Sequence, residues 1–270
     1  MPVKVYNNFQ GQDLTCVICA YGECAYLEEC IESLEKQTVK PNILISTSTP
    51  SEFLSNIAGK HGLEIRVNPD GGQIKDYNFA MRQGDSKFVM LMHQDEVIDE
   101  RFVELSLQAL GTVKDPQISF TDYIEMHNDM PDKKASKMVI IKRIMLVPLR
   151  WRWLGTIRFG KRLIQLMGDP ITHPTVICAR DKMPETIFRE EFKASMDWDL
   201  WERLSKQPGA FVFVPKVLLY HRMNDDNQTA KLFKTTNARY ENESAIFNRF
   251  WPKPIVKIIM HFYSGAAKYY

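Results

Sequence analysis

The sequence predicts an α/β chain whose core is a mainly parallel sheet flanked by helices on both faces, and three observations carry that prediction. Apolar runs of strand length alternate with stretches of helical periodicity through the first hundred residues. The run Lys87 to Glu96, KFVMLMHQDE, has no polar side chain from Phe88 to Met92, as a strand buried on both faces requires. It stops abruptly at His93-Gln94-Asp95-Glu96, and in open α/β sheets the carboxyl ends of strands are where ligands sit. Asp95 and Glu96 there suit a divalent cation, or a phosphorylated ligand held through one; a polar loop with solvated acids is the alternative.

At 270 residues the chain can bury a substantial core, and we expect one domain of two halves, 1–110 and 111–230, with a helical tail over 231–270. A composition of 44% hydrophobic and 25% charged residues excludes a disordered chain. Met1 to Asp13 is mixed and polar, unlike a signal peptide, and no stretch has the roughly 18 consecutive apolar residues of a membrane span. A cytoplasmic chain is therefore expected. Five cysteines suggest no metal or disulfide framework. Cys16 and Cys19 lie three apart on a strand, hence on opposite faces, while Cys30 and Cys178 fall in apolar patterns, so buried reduced thiols are expected.

Leu14 to Ala20 (LTCVICA) reads as the first strand. Leu27, Cys30, Ile31 and Leu34 recur at helical spacing, which predicts a helix over Ala25 to Gln37 packed by one face on the sheet. Asn42 to Ser46 is the second strand. Helical sequence from Ser51 to Lys60 ends at Gly62, and Leu63 to Val67 is a short third strand. Asn68-Pro69-Asp70-Gly71-Gly72 then turns the chain into a helix over Gln73 to Gln83, which Gly84 stops before the strand at Phe88.

Five features follow one another in this half: Ala20-Tyr21-Gly22 after the first strand, LEECIESLEKQT from Leu27 to Thr38, a second strand with a polar end, Gly71-Gly72 before a helix containing Asn78, and a strand running into an aspartate-containing turn. Together they resemble the nucleotide-binding half of a family 2 glycosyltransferase with the GT-A fold. The resemblance implies a nucleotide-sugar donor held by 1–110, with Ala20, Tyr21, Ser46, Thr47 and Ser48 at strand ends beside it. Gly72 would let the backbone approach, and Asp76 and Asn78 would follow on the helix. His93-Gln94-Asp95 stands at the family's Asp-x-Asp signature, which makes Asp95 the implied ligand of Mg²⁺ or Mn²⁺ and puts His93 and Gln94 beside the donor. Such a cation would neutralise the leaving diphosphate. Departures from the pattern are Ser46-Thr47-Ser48-Thr49 in place of acids, Tyr77 in place of the arginine of Ala-Arg-Asn, and His93 in place of the first acid.

In the second half, Gln117 to Asp122 reads as a strand, and the chain from Lys133 to Arg162 then carries ten basic residues and no acid, leaving the remainder at minus eight. Met138 to Val147 and Leu149 to Leu154 mix aliphatics and tryptophans with Lys and Arg. That composition suits an element lying in a membrane surface, at the inner face for a cytoplasmic chain. A solvated basic face beside an ordinary core is the alternative; no RNP-type sequence supports RNA binding. His173 to Arg180 returns to strand character. In Phe192 to Leu204, Asp197, Leu200, Trp201 and Leu204 share a face, so Asp197 begins a helix on its inward side.

Met196-Asp197-Trp198-Asp199-Leu200-Trp201 is similar to the family's Glu-Asp motif and tryptophan helix, with methionine for glutamate, which makes Asp197 the implied general base for the acceptor hydroxyl. An aspartate that only caps the helix is the alternative. Phe211 to Val214 and Val217 to Tyr220 read as two short strands leading to His221-Arg222. By the resemblance His221 would ligate the metal and Arg222 clamp the diphosphate, while Asn224 stands where relatives often have histidine. Lys231 to Phe250 reads as a helix, and Ile255 to Tyr263 mixes aliphatics with Lys257 and His261. The Gln-x-x-Arg-Trp motif of processive synthases is absent. The expectation is a bacterial-type transferase adding one sugar, with inversion, to a glycan or lipid-linked acceptor in surface polysaccharide synthesis. Its rivals are a catalytically degenerate GT-A domain binding a glycan or membrane surface, and a nucleotidyltransferase.

Overall fold

The computed structural model describes residues 4–223 and 238–266, with side chains through His261. Strands β1 (Leu14–Ala20), β2 (Asn42–Thr47), β3 (Glu64–Val67) and β4 (Phe88–His93) are parallel and lie side by side in the order β3-β2-β1-β4. Helices α1 (Leu27–Glu35), α2 (Glu52–His61) and α3 (Gln73–Ala80) connect them. The ends of α2 follow from its sequence. Ser51 Oγ accepts the Leu54 amide at 3.2 Å, and Gly62 closes the helix at φ 63°, a conformation that costs a residue with a Cβ.

Side chains of β1 and β4 alternate between two cores. Cys16, Ile18, Phe88, Met90 and Met92 pack on one face, and Val17, Cys19, Val89 and Leu91 on the other. Every residue from Phe88 to Met92 is at most 1% exposed, which is the two-sided burial its composition demands. The same burial raises the Cys16 and Cys178 thiols and pushes Cys19 up to about 12, so they stay protonated. All five cysteines are free.

The later strands join the same sheet. After β5 (Val97–Ile98) and helix α4 (Phe102–Gly111) come β6 (Pro116–His127), β7 (Met130–Pro131), β8 (Val176–Ala179) and β9 (Ala210–Arg222). The order continues β4-β8-β6-β9-β5, with β8 antiparallel to both neighbours, β9 parallel to β6, and β7 paired to β6 alone. The two short strands expected at 211–220 form one. Its register jumps from Thr121↔Val214 to Asp122↔Val217 because Pro215 has no amide for the ladder, so two residues bulge without ending the strand.

The basic segment is helical: α5 (Lys137–Leu146), α6 (Arg152–Gly155) and α7 (Arg158–Leu163). Part of its charge is internal. Lys161 is 1% exposed, and its Nζ donates to the carbonyls of Gln207 at 2.6 Å and Gly209 at 2.9 Å. Burial brings its pKa down to about 8. Arg162 meets Glu202 at 2.6 Å, and Arg143 meets Asp122 at 2.7 Å.

Helix α8 (Met196–Ser205) buries Asp199 and Glu202 completely. Asp199 takes Arg189, Arg203 and Arg249; Glu202 takes Arg162, Lys206 and Arg249. Burial acts against each charge, but these cations overcome it and hold both carboxyls below their usual range. Helices α9 (Ala238–Phe247) and α10 (Lys253–Ala266) close over Trp198 with Ile246, Phe247, Val256 and Met260. Asn224 and the first part of the helix expected from Lys231 lie outside the described residues. No helix among the described residues is long and apolar enough to cross a membrane.

Candidate functional site

β4 delivers His93 to the carboxyl edge of the sheet, and the turn after it gathers three ligand-type side chains. Ligand atoms of His93, Asp95 and Glu96 all lie within 4.8 Å of one another. Glu96, for which a cation ligand and a solvated acid were the two expectations, is 1% exposed, because its carboxylate turns inward to His221 Nδ1 at 2.6 Å. Burial opposes a charge on His221, but Glu96 outweighs it and raises the pKa. Burial and then the Glu96 charge raise Asp95. Two buried polar atoms of the cluster, His93 Nε2 and Glu96 Oε2, have no hydrogen-bond partner. Unpaired buried donors and acceptors are costly, and a mixed imidazole and carboxylate set with orphaned atoms fits a divalent cation. His221 reaches the cluster through Glu96.

Two departures from the family pattern meet here. Tyr77, which stands where an arginine was expected, stacks on His93, which stands for an acid, with ring centroids 5.6 Å apart and planes 17° from parallel. His173 packs against both rings, and its burial, with His93 beside it, lowers its pKa to about 3.

Around this centre the expected donor-side residues are laced together. Gln94 bonds both backbone groups of Tyr21 at 3.0 Å, joining the ends of β1 and β4 beside buried Ala20. Asp76 accepts from Ser48 at 2.8 Å and Asn68 at 2.7 Å, tying β2 and β3 to α3. Ser46 and Thr47 are 1% exposed; Thr47 Oγ1 accepts the Thr49 amide at 3.0 Å, and the Ser46 hydroxyl has no partner. Gly71 and Gly72 carry the turn at φ 61° and 102°. Asn78 bonds the amide and carbonyl of Phe188, both at 2.8 Å. Arg222, expected as a diphosphate clamp, is 2% exposed and already engaged. Its guanidinium lies 3.9 Å over the Tyr26 ring and pairs with Glu29 at 2.5 Å and with Asp129, while Nε donates to the Asp95 carbonyl at 3.2 Å.

Asp197 stands at the N-terminus of α8, where its Oδ1 accepts the Trp198 amide at 2.9 Å. It lines a cavity of about 230 Å³ together with Tyr123, Lys142, Asp169, His221 and Glu243. Asp95 is not among the lining residues, but His221 borders the cavity and bonds Glu96, so it bridges the cavity and the cluster. Burial, then the Asp197 charge, holds Asp169 well above the ordinary carboxyl range; burial also raises Glu243. Ser195 Oγ and Trp198 Nε1, on two buried residues of the lining, have no partner. The sequence reading missed Asp169 and Glu243. The one available signal was that Asp169 is the first acid after Asp132.

Residues 15–164 match Glycosyl transferase family 2. The chain belongs to that family. Its fold is that of S. aureus TarS 1-349 in complex with UDP-GlcNAc, with a TM-score of 0.62 at 14% identity over 92% of this chain and 70% of that one. It is also that of glucosyl-3-phosphoglycerate synthase from Mycobacterium tuberculosis, in complex with Mn²⁺, UDP-glucose and phosphoglyceric acid, with a TM-score of 0.58 at 14% identity over 88% of this chain and 80% of that one. The same enzyme with Mg²⁺ and UDP scores 0.55 at 15% identity, over 88% and 79%. No curated protein matches this family 2 chain significantly by sequence.

Proposed function

We propose that this family 2 chain transfers one sugar from a nucleoside diphosphate donor to an acceptor hydroxyl, with inversion. The observation that carries the reading is the linkage of a cation-type cluster at the end of β4 to an acid-lined cavity through one residue, His221. Asp95, His93 and Glu96 would hold Mg²⁺ or Mn²⁺, whose positive charge would supply neutralisation of the diphosphate as it leaves. Asp197 accepts the proton of the acceptor hydroxyl as that oxygen attacks the anomeric carbon from the cavity side. Attack opposite the leaving group inverts the centre. Donor complexes of the two fold relatives support the donor class.

The cavity's carboxyls and orphaned donor groups suit the hydroxyls of a glycan or of a lipid-linked sugar, as in synthesis of a bacterial surface polysaccharide. Thermal shift against a panel of nucleotide sugars with Mn²⁺ tests the reading. One donor should stabilise the protein, Asp95→Ala should remove that shift, and turnover should release a nucleoside diphosphate. Pyrophosphate release would identify a nucleotidyltransferase instead. A protein that binds glycan but no nucleotide would be a catalytically degenerate relative.

A further inference from the structure

Helix α5 has two apolar sides, and one of them is exposed. Val139 and Leu146 are buried against the body of the protein. On the opposite side Ile140, Ile141 and Ile144 are 46%, 50% and 64% exposed. The exposure continues along the chain in Trp151, Trp153 and Phe159, at 58%, 61% and 66%. A surface helix needs one apolar stripe, so a second one, extended by two tryptophans and a phenylalanine, marks a surface built to be covered.

These side chains stand on a fixed platform. A Cβ on Gly155 would meet the Phe211 carbonyl oxygen at 2.0 Å, so α6 lies directly on the backbone of β9. Lys161 is buried in carbonyls, and Arg162 is paired to buried Glu202. The inner residues of 137–162 are committed to the fold, which holds the outer ones in solvent.

Charge selects the occupant. Lys133, Lys134, Lys137, Arg150, Arg152 and Arg158 are exposed among these apolar groups, and no acid occurs between Asp132 and Asp169. A second copy would oppose like charges across the contact. Protein interfaces, moreover, are depleted of lysine. Aliphatic and indole side chains interleaved with long cationic ones match the boundary between acyl chains and anionic headgroups, where lysine and arginine stems lie along apolar surface and their charges reach phosphate.

We propose that the outer face of 137–159 docks the protein on an anionic lipid surface. The proposal extends the glycosyltransferase reading by supplying an acceptor presented at a membrane. It is tested apart from catalysis, so either can fail alone. The full chain is sedimented with vesicles of phosphatidylcholine and of phosphatidylcholine with phosphatidylglycerol while tryptophan emission is recorded.

Binding to the anionic vesicles, weakened by salt and accompanied by a blue shift, is expected. Replacing Arg150, Arg152 and Arg158 together by alanine should lower the affinity about 100-fold, at roughly fivefold per charge near such a surface. Trp151→Ala with Trp153→Ala should weaken it and abolish most of the blue shift. Both variants should keep the parent's melting temperature and its nucleotide-sugar thermal shift. Equal affinity for neutral vesicles, no binding to either, or unchanged binding by the arginine variant would overturn the proposal. So would tighter binding of single-stranded RNA that ignores the tryptophan changes.

Discussion

Asp197 and Asp199 sit two residues apart on α8, and the proposed function gives them opposite kinds of work, so a matched pair of substitutions separates chemistry from architecture. Asp197→Asn keeps an oxygen for the Trp198 amide, so that bond survives, but it removes the carboxylate able to take a proton. Loss of a general base costs about 10²–10⁴ in turnover, with the melting temperature unchanged. Asp199→Asn instead removes the charge at the centre of three guanidiniums from Arg189, Arg203 and Arg249, in a site with no exposure. Breaking a buried ion network from one side costs about 3–5 kcal/mol. At roughly 2–4 °C per kcal/mol for chains near this size, that is on the order of 6–20 °C in melting temperature. The assays are nucleoside diphosphate release at saturating donor and calorimetric melting. Turnover within threefold of the parent for Asp197→Asn would refute its catalytic role. An Asp199→Asn protein that melts with the parent would refute the network's structural one.

Three further outcomes follow from the geometry. His93→Asp should move metal-dependent stabilisation toward Mg²⁺ and Mn²⁺ and away from Zn²⁺, read by thermal shift with each ion, since carboxylates suit the harder cations and imidazole suits zinc. Asp169 holds its proton to higher pH in the folded protein than in the unfolded chain, so its contribution to stability is full below the ordinary carboxylate range and falls as pH rises toward the raised value. Asp169→Asn should flatten that decline in urea midpoints measured between about pH 5 and 8. Gly155→Ala forces its new methyl onto the Phe211 carbonyl and should destabilise by about 1–3 kcal/mol in the same urea assay.

Much of the first half was legible because local signals and global packing agreed there. β1, β2 and β4 announced themselves by apolar runs, α2 by Ser51 and Gly62, and the polar edge of the sheet by the break at His93. Helix α4 escaped because seven of its ten residues are buried, which leaves little amphipathic contrast. The two-strand reading of β9 failed because proline interrupts hydrogen bonding without necessarily ending a strand.

The sequence by itself determined the fold class, the buried strand and the edge where polar residues collect, since burial periodicity is written residue by residue. Tertiary structure alone decided which polar groups are spent on holding the protein together and which remain for a ligand. Arg222 and Asn78 have internal partners, Glu96 turns inward to His221, and Asp169 joins Asp197 in one cavity. The reason is physical: a side chain's chemistry is local, but its availability depends on partners brought from distant parts of the chain, and linear spacing carries no record of them.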